Sequence, residues 1–209
     1  MIPRVEKTTF LGVCIDSLLS WKPHIHEVEN KIAKNIGIIN RLHFLFPKNV
    51  LRSLYCSLVL PYLTYCSLVW GSTYPSNVEK LSILQKKIIR IVSDVPFRSH
   101  TDPLFHDLKL LKFKDVVTYQ QCIFMYECMR NLLPDYFCHM FNLNSEIHSY
   151  PTRSRKNVRI TTHRTVSFQQ NIRFTGPKLW NELSDTLKNC QSVNTFKRNL
   201  KQSLLAKNL

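Results

Sequence analysis

Carboxylates are the side chains that would let this chain make or break phosphodiester bonds, and their spacing does not favour that chemistry. The chain has 14 Asp and Glu residues, and no two of them are adjacent in sequence. Two-metal catalysis needs carboxylates that converge on ions about 4 Å apart. Glu27 and Glu29 are two residues apart on a predicted helix and therefore point to different sides. The pattern disfavours a paired-carboxylate active site within this chain.

Histidine and cysteine offer two further kinds of chemistry, metal binding and nucleophilic attack. His24 and His26 could share a metal only from an extended backbone, because side chains two residues apart on a helix diverge by about 200°. We expect both at the surface, at the start of a helix. No two cysteines have CxxC spacing, and no oxyanion motif accompanies any of them. The seven cysteines are therefore predicted to fill the core as reduced thiols, in the cytosol or nucleus.

Positive charge is the one feature with a consistent meaning along the chain. Lys and Arg number 29, which gives a net charge of +15 and a pI near 9.7. This balance favours a polyanionic partner, with nucleic acid ahead of an anionic membrane, over a merely solubilising surface. Hydroxyls at Thr152 and Ser154 would add hydrogen bonds to phosphates. The candidate nucleic-acid contacts are Lys80, Lys86, Lys87, Arg90, Arg153, Arg155, Lys156 and Arg159.

Residues 147–181 differ in composition from the rest of the chain. They include seven Lys or Arg residues and no Asp or Glu. A run of one charge sign is typical of a solvated segment. We predict an exposed basic loop here.

Hydrophobic periodicity predicts the elements that must position these cations. The run Thr8 to Asp16 is rich in β-branched residues and predicts a strand, after which helical spacing dominates. The expected fold is mostly α, a helical bundle-like module with a short N-terminal β-strand or hairpin. Five helices are predicted. The first is 23–42, with Ser20 as its cap and an inward stripe of Ile25, Val28, Ile32, Ile36 and Ile39.

The second helix is opened by Pro47 and ended or kinked by Pro61, with an inward face of Val50, Leu54 and Leu58. The third follows Pro75, with an inward face of Val78, Leu81, Ile88 and Val92. The fourth is 115–131, with one side formed by Val116, Tyr119, Ile123 and Tyr126. The fifth is capped by Ser192 and has an inward face of Val193, Phe196, Leu200 and Leu204.

A charge-free run at residues 53–78 raises the question of a membrane span. A span needs about 20 predominantly apolar residues. Pro61, Gly71 and Pro75 interrupt the run, and it contains several Ser and Thr residues. It is therefore predicted to be buried helical core, and a membrane partner is disfavoured.

Several segments, in order along nearly the whole chain, resemble the C-terminal part of LINE-type (non-LTR), jockey-like retrotransposon reverse transcriptases. The segments are Phe10-Leu11-Gly12-Val13-Cys14-Ile15-Asp16, Leu19-Ser20-Trp21-Lys22-Pro23-His24-Ile25, Leu54-Tyr55-Cys56-Ser57-Leu58-Val59, Tyr62-Leu63-Thr64-Tyr65-Cys66, Val69-Trp70-Gly71, Leu84-Gln85-Lys86-Lys87-Ile88-Ile89-Arg90-Ile91, Tyr150-Pro151-Thr152-Arg153, Gly176-Pro177-Lys178-Leu179-Trp180-Asn181-Glu182-Leu183 and Phe196-Lys197-Arg198-Asn199-Leu200-Lys201. Each alone is a weak signal, whereas the ordered set is fairly specific.

The resemblance implies a role in holding template and primer. It gives residues 1–20 as a remnant of the palm and primer-grip strand, 21–142 as a thumb-like helical domain and 143–209 as a basic loop with C-terminal helices. Phe10, Leu11, Gly12 and Val13 are then primer-grip-like. The family's catalytic aromatic-Xaa-Asp-Asp box has no counterpart in this sequence. We therefore expect a C-terminal fragment of an RNA-directed DNA polymerase that binds RNA or DNA inside the cell, has no cofactor of its own and is inactive alone, with Mg²⁺ only in the missing palm.

Two other functions remain open. The apolar helices around Tyr55 to Trp70 could form a protein-interaction module that docks onto a separate palm-containing chain or another partner. The charge-free run with its flanking bases could instead lie on a membrane surface as a peripheral protein.

Overall fold

The computed structural model describes residues 5–147 and 153–207, which form two compact units. The first unit comprises the residues up to Val116, and the second runs from Val117 to Lys207. The elements of the first are β1 (Lys7–Phe10), β2 (Val13–Asp16), α1 (Lys22–Leu42), α2 (Lys48–Leu58), α3 (Leu60–Thr64), α4 (Ser67–Trp70), α5 (Pro75–Val92) and α6 (Asp102–Asp107). The boundary falls within α7 (Phe113–Met129), and the second unit continues with α8 (Asp135–Cys138), α9 (Asn144–Ile147), α10 (Val166–Gln169), α11 (Ile172–Glu182), α12 (Asp185–Lys188) and α13 (Val193–Ala206).

The expected mostly helical fold with an N-terminal strand or hairpin is confirmed, and the strand segment is a hairpin. β1 and β2 pair antiparallel, and Phe10 opposite Val13 is the last pair before the turn. Leu11 and Gly12 form the two-residue turn with φ of 47° and 76°. Positive φ at both central residues is the mark of a type I′ turn, whose twist matches that of paired strands.

Helix α1 confirms the predicted stripe. The five predicted positions, Ile25, Val28, Ile32, Ile36 and Ile39, are all buried, whereas Ile38 lies outside the stripe and is exposed. The predicted cap is wrong, because Trp21 occupies the N-cap position with a left-handed φ of 62°. The carboxylate of Asp16 accepts hydrogen bonds from the N–H groups of Ser20 and Trp21. Burial raises the pKa of Asp16, but these bonds outweigh it and hold the pKa below its usual value.

Helix α2 begins after Pro47 as predicted, but its buried face is one residue further along. Leu51 and Tyr55 are buried there, whereas Val50, Leu54 and Leu58 are only half-buried. Pro61 sits in the first turn of α3, so the chain breaks between α2 and α3 as expected.

Helix α5 includes the residues expected for it and places a buried polar side chain, Gln85, in the core of the first unit. Leu81, Ile88 and Val92 are buried as predicted, while Val78 is half-buried. The amide of Gln85 is buried between them. Its Nε2 donates to the Tyr55 hydroxyl at 2.8 Å and the Leu111 carbonyl at 3.0 Å, and its Oε1 accepts from the Phe113 N–H at 2.7 Å.

The core of the second unit is an aromatic cluster. Tyr126 stacks on Phe196 with ring centroids 4.3 Å apart, and Trp180 lies 6.4 Å from each. Of the predicted α7 face, Val116, Ile123 and Tyr126 are buried and Tyr119 is half-buried. The Ser192 hydroxyl accepts from the Thr195 N–H as the predicted cap of α13. Phe196, Leu200 and Leu204 are buried, whereas Val193 is half-buried.

The predicted basic loop is wrong over its second half. Residues 153–165 have no helix, but α11 occupies Ile172–Glu182 and contains Pro177 in its interior. The Gly176-Pro177 pair reads as a helix breaker in sequence. In the structure Gly176 instead lets α11 approach α7, since a Cβ built on it would lie 2.7 Å from the Met125 sulfur.

Candidate nucleic-acid interface

The hairpin tip carries the four residues that resemble a primer grip. Phe10 and Leu11 are 64% and 72% exposed, and Gly12 is exposed too. Val13 is buried, so it anchors the hairpin rather than facing a ligand. The Tyr65 hydroxyl donates to the Leu11 carbonyl at 2.6 Å, which fixes the turn on the segment between α3 and α4.

His24 lies behind the hairpin, not at the surface as its position in sequence predicted. It is 4% exposed, and its Nδ1 accepts a hydrogen bond from the Cys14 N–H at 3.3 Å. Its ring meets the edge of Trp70 at 5.4 Å. Burial lowers the pKa of His24; to a smaller extent Glu27 raises it and Lys31 lowers it further. His26 is exposed as predicted and lies 3.5 Å from Glu29, so the two histidines do not share a metal site.

The cations of α5 form a face with one exception. Lys80, Lys86 and Lys87 are exposed. Arg90 is half-buried, because its Nε donates to the Ser99 carbonyl at 2.9 Å and its guanidinium lies 5.6 Å from the Phe97 ring. Arg90 therefore has a structural task as well as a charge.

The α5 face also contains residues that the charge pattern overlooked. Helical spacing puts exposed Glu79 seven residues before Lys86, and exposed Ile83 lies between Lys80 and Lys86 on the same face. At the amino-terminal end of α5, Lys80 and Lys22 line a cavity of about 220 Å³ with Glu29. Acids are thus interspersed among the bases, and the field of this face is weaker than its lysine count indicates.

The other predicted cations belong to the second unit, in a segment whose backbone is hydrogen-bonded to the rest of that unit. Arg153, Arg155, Lys156 and Arg159 are exposed, whereas Thr152 lies outside the described residues. Val158 is 1% exposed and forms an antiparallel bridge with Leu143. The Asn181 amide accepts from the Val158 N–H and donates to its carbonyl, both at 2.9 Å. Asn181 thus satisfies the backbone of Val158 as a neighbouring strand would.

Two cavities adjoin the segment that Asn181 holds. One of about 710 Å³ is lined by residues 158–163 together with polar side chains that include Asn157 and Asn181. The other, of about 310 Å³, is lined by alternate residues of the same segment, Arg159, Thr161 and His163, and by Arg173 of α11. No Asp or Glu lines either cavity among the described residues. The sequence prediction missed Arg173, His163 and Asn181, although the acid-free composition of residues 147–181 was a signal for the first two.

The thiols do not form a second site. Cys14, Cys122, Cys128 and Cys190 are buried, and all seven cysteines are free. Burial raises the pKa of Cys122 and Cys128 to about 12, so these two are poor nucleophiles at neutral pH. Within residues 5–147 and 153–207 there is no cluster of three or more potential metal ligands. In the same part of the chain no helix has the length and apolarity that crossing a bilayer requires.

Comparison with known proteins confirms the resemblance read from the motifs. The RNA-directed DNA polymerase from the mobile element jockey of Drosophila melanogaster is 29% identical over 111 residues, which are 51% of this chain and 12% of that protein. Over about half of its length, the chain is similar in sequence to RNA-directed DNA polymerases of retrotransposons. The jockey polymerase of Drosophila funebris is 27% identical over 122 residues, and the probable polymerase from the X-element of Drosophila melanogaster is 23% identical over 120 residues.

The aligned parts cover 56% of this chain in both of those cases and 13% of the relatives. The chain therefore matches about an eighth of the length of the retrotransposon polymerases. No protein-family model matches the chain, and no solved structure does either.

Proposed function

We propose that this chain binds the template and primer nucleic acid of an RNA-directed DNA polymerase and has no polymerase activity alone. The observation that carries the proposal is its sequence similarity to the retrotransposon polymerases. The lysines of α5 and the exposed bases of residues 153–156 support it, because duplexes of RNA and DNA are gripped mainly through backbone phosphates.

Catalysis would depend on carboxylates outside this chain. The sequence has no aromatic-Xaa-Asp-Asp box, and its acids stand apart from one another. Under this proposal the Mg²⁺ ions and the nucleotide belong to a palm that another segment or chain provides. The chain acts in the nucleus or cytoplasm, with the exposed tip of the hairpin, Phe10 to Gly12, near the primer terminus.

The test is binding of a fluorescent RNA–DNA hybrid to the purified chain, followed by anisotropy as salt is raised. We expect binding at about 50 mM salt that weakens steeply by about 200 mM, because each phosphate contact releases counterions. Absence of binding to hybrid, RNA and DNA at the low salt concentration would exclude the proposal.

A second candidate is a docking module for a palm-containing polymerase chain. Tyr55, Leu63 and Trp70 are fully buried, so they are not available to a partner. Exposed Phe10, Leu11 and Tyr65, gathered where Tyr65 bonds the hairpin turn, favour a smaller docking surface at the tip. Co-purification with a polymerase chain that persists in about 1 M salt, where charge attraction is screened, would support this function over charge-driven binding.

A further inference from the structure

The segment 158–163 and the two cavities beside it, here called the Arg159 cleft, combine cationic groups with a fixed backbone. Arg159 lines both cavities, and Arg173 joins it in the smaller one. Both side chains are exposed, and within the described residues neither guanidinium lies within 4 Å of a carboxylate. Two arginines that line one cavity without an acid are suited to bind an anion.

The backbone of the cleft is set before any ligand arrives. The Arg159 N–H donates to the Asn142 carbonyl at 2.8 Å, while Asn181 holds both polar groups of Val158. Fixing the residues on both sides of a binding group lowers the entropy lost on binding. A flexible basic loop, by contrast, would lose more entropy for each phosphate it contacts.

The dimensions and walls of the cleft select the form of the ligand. Volumes of about 710 and 310 Å³ suit one or two nucleotide units, whereas a double helix is too wide to enter. The ring centroids of His163 and Phe168 lie 3.6 Å apart, and both residues line the smaller cavity. Aromatic rings beside a cationic groove are the usual means of holding unpaired bases, which stack on them in any sequence.

We infer that the Arg159 cleft binds the phosphodiester backbone of a single nucleic-acid strand, with Arg159 and Arg173 on the phosphates and the His163–Phe168 pair beside a base. Asn181 is a positioning residue that holds Val158 and, through it, Arg159. This inference rests on the proposed function and adds to it a separate site for an unpaired strand, such as template that has not yet been copied.

The test compares two double variants of equal charge in the whole chain. Arg159→Ala with Arg173→Ala removes the cleft cations, while Arg164→Ala with Lys178→Ala removes two exposed cations of the same acid-free stretch that line neither cavity. The probe is a fluorescent twelve-nucleotide oligouridylate, with an RNA–DNA hybrid as second probe. Circular dichroism confirms that each variant is folded.

We expect the cleft variant to bind the oligouridylate about tenfold or more weakly than the control variant does. We also expect its salt dependence to fall by about 1.4 in slope, the value for two lost contacts to a single strand. The hybrid should distinguish the two variants by less than about threefold, since its contacts lie largely elsewhere.

Three outcomes separate the possibilities. If both variants lose oligouridylate affinity equally, the cleft is not a site, although the proposed function stands. If the unaltered chain binds neither probe, the proposed function fails as well. If the cleft binds inorganic phosphate as tightly as it binds the oligouridylate, the site takes free phosphate and the assignment to a strand is overturned.

Discussion

At the scale of single residues, the buried amide of Gln85 holds three parts of the first unit together. It bonds the hydroxyl of Tyr55 on α2, the carbonyl of Leu111 and the N–H of Phe113, the first residue of α7. Both protons of its NH2 group are donated and its oxygen accepts one bond, and burial raises the pKa of Tyr55, which keeps that partner neutral. A buried polar group costs little only while it is fully paired.

Gln85→Leu should therefore destabilise the protein by about 3 kcal/mol, because it leaves several buried partners unpaired. The measurement is urea unfolding followed by tryptophan fluorescence. Gln202→Leu, at an exposed position of α13, is the control and should change the free energy of unfolding by less than about 0.5 kcal/mol. Equal effects would show that the Gln85 bonds are not needed.

His24 gives the first unit a dependence on pH. Burial lowers its pKa in the folded state below the usual value of 6.5, so the unfolded chain binds the proton more readily. Stability is full above pH 6.5 and falls as pH drops below that value, until the folded-state pKa is passed. Protonation would also remove the acceptor that Nδ1 offers to the Cys14 N–H.

The expected result is a lower urea midpoint at pH 5 than at pH 8. His24→Asn keeps a short side-chain acceptor but does not titrate, so the part of the pH dependence due to His24 should disappear in that variant. His26→Asn is the control, since His26 is exposed. Loss of the pH dependence in the control instead would contradict the assignment.

The structural role of a residue was predictable from sequence only where a neighbour close to it in sequence determines that role. Ser192 is a cap in both sequence and structure because a cap acts within three residues of itself. His24 and Asn181 were misjudged or missed because their partners, Cys14 and Val158, are 10 and 23 residues away. In the motif Gly176 to Leu183, Gly176 and Trp180 pack in the core of the second unit, and Asn181 bonds the backbone of Val158.

At the scale of elements, the approach of α11 to α7 depends on a glycine. The Gly176 Cα faces Met125, whose sulfur would lie 2.7 Å from an added Cβ. Met125 is itself fully buried, so it has little room to move away. Overpacking a contact of this kind costs roughly 1–3 kcal/mol.

Gly176→Val should lower the free energy of unfolding by about 2 kcal/mol for that reason. Combining it with Met125→Ala should recover about 1 kcal/mol relative to the sum of the single changes, because the smaller side chain makes room. Thermal unfolding of the four proteins in this cycle measures the coupling. Strict additivity would mean that the two residues do not meet.

Element prediction followed the strength of the periodic signal. Helices α1, α5 and α13 have apolar residues every three or four positions, and each begins within a residue of its predicted start. Helix α11 was missed because the acid-free composition of residues 147–181 indicated a loop, and the tertiary contact that accommodates Gly176 is invisible locally. The buried face of α2 was assigned one residue too early because Val50, Leu54 and Leu58 adjoin the buried Leu51 and Tyr55 and repeat at the same four-residue spacing.

At the scale of the whole molecule, the net charge was easy to predict from sequence, but the surroundings of each charged residue are known only from the structure. The net charge of +15 follows from composition. The structure adds that the exposed bases of α5 have Glu79 beside them, while those of the Arg159 cleft line cavities without an acid. The two groups belong to different units, and we expect them to contribute separately.

Lys86→Ala with Lys87→Ala should weaken binding of an RNA–DNA hybrid and lower the slope of log affinity against log salt by about 1.8, as for two lost duplex contacts. Anisotropy titrations between about 50 and 200 mM salt supply the slope. Lys34→Ala with Lys48→Ala removes the same charge from exposed positions outside the proposed contacts. If the slope and the affinity fell equally in that variant, the lysines of α5 would contribute only general charge attraction.

The turn at Leu11 has a consequence for how the hairpin is used. A leucine at φ of 47° makes folding less favourable by roughly 1 kcal/mol than asparagine or glycine would at the same position. Local folding therefore argues against leucine, and its side chain is 72% exposed, so the protein's own core does not compensate. The tip of the hairpin is therefore a position where a substitution could stabilise the first unit without removing any contact in its core.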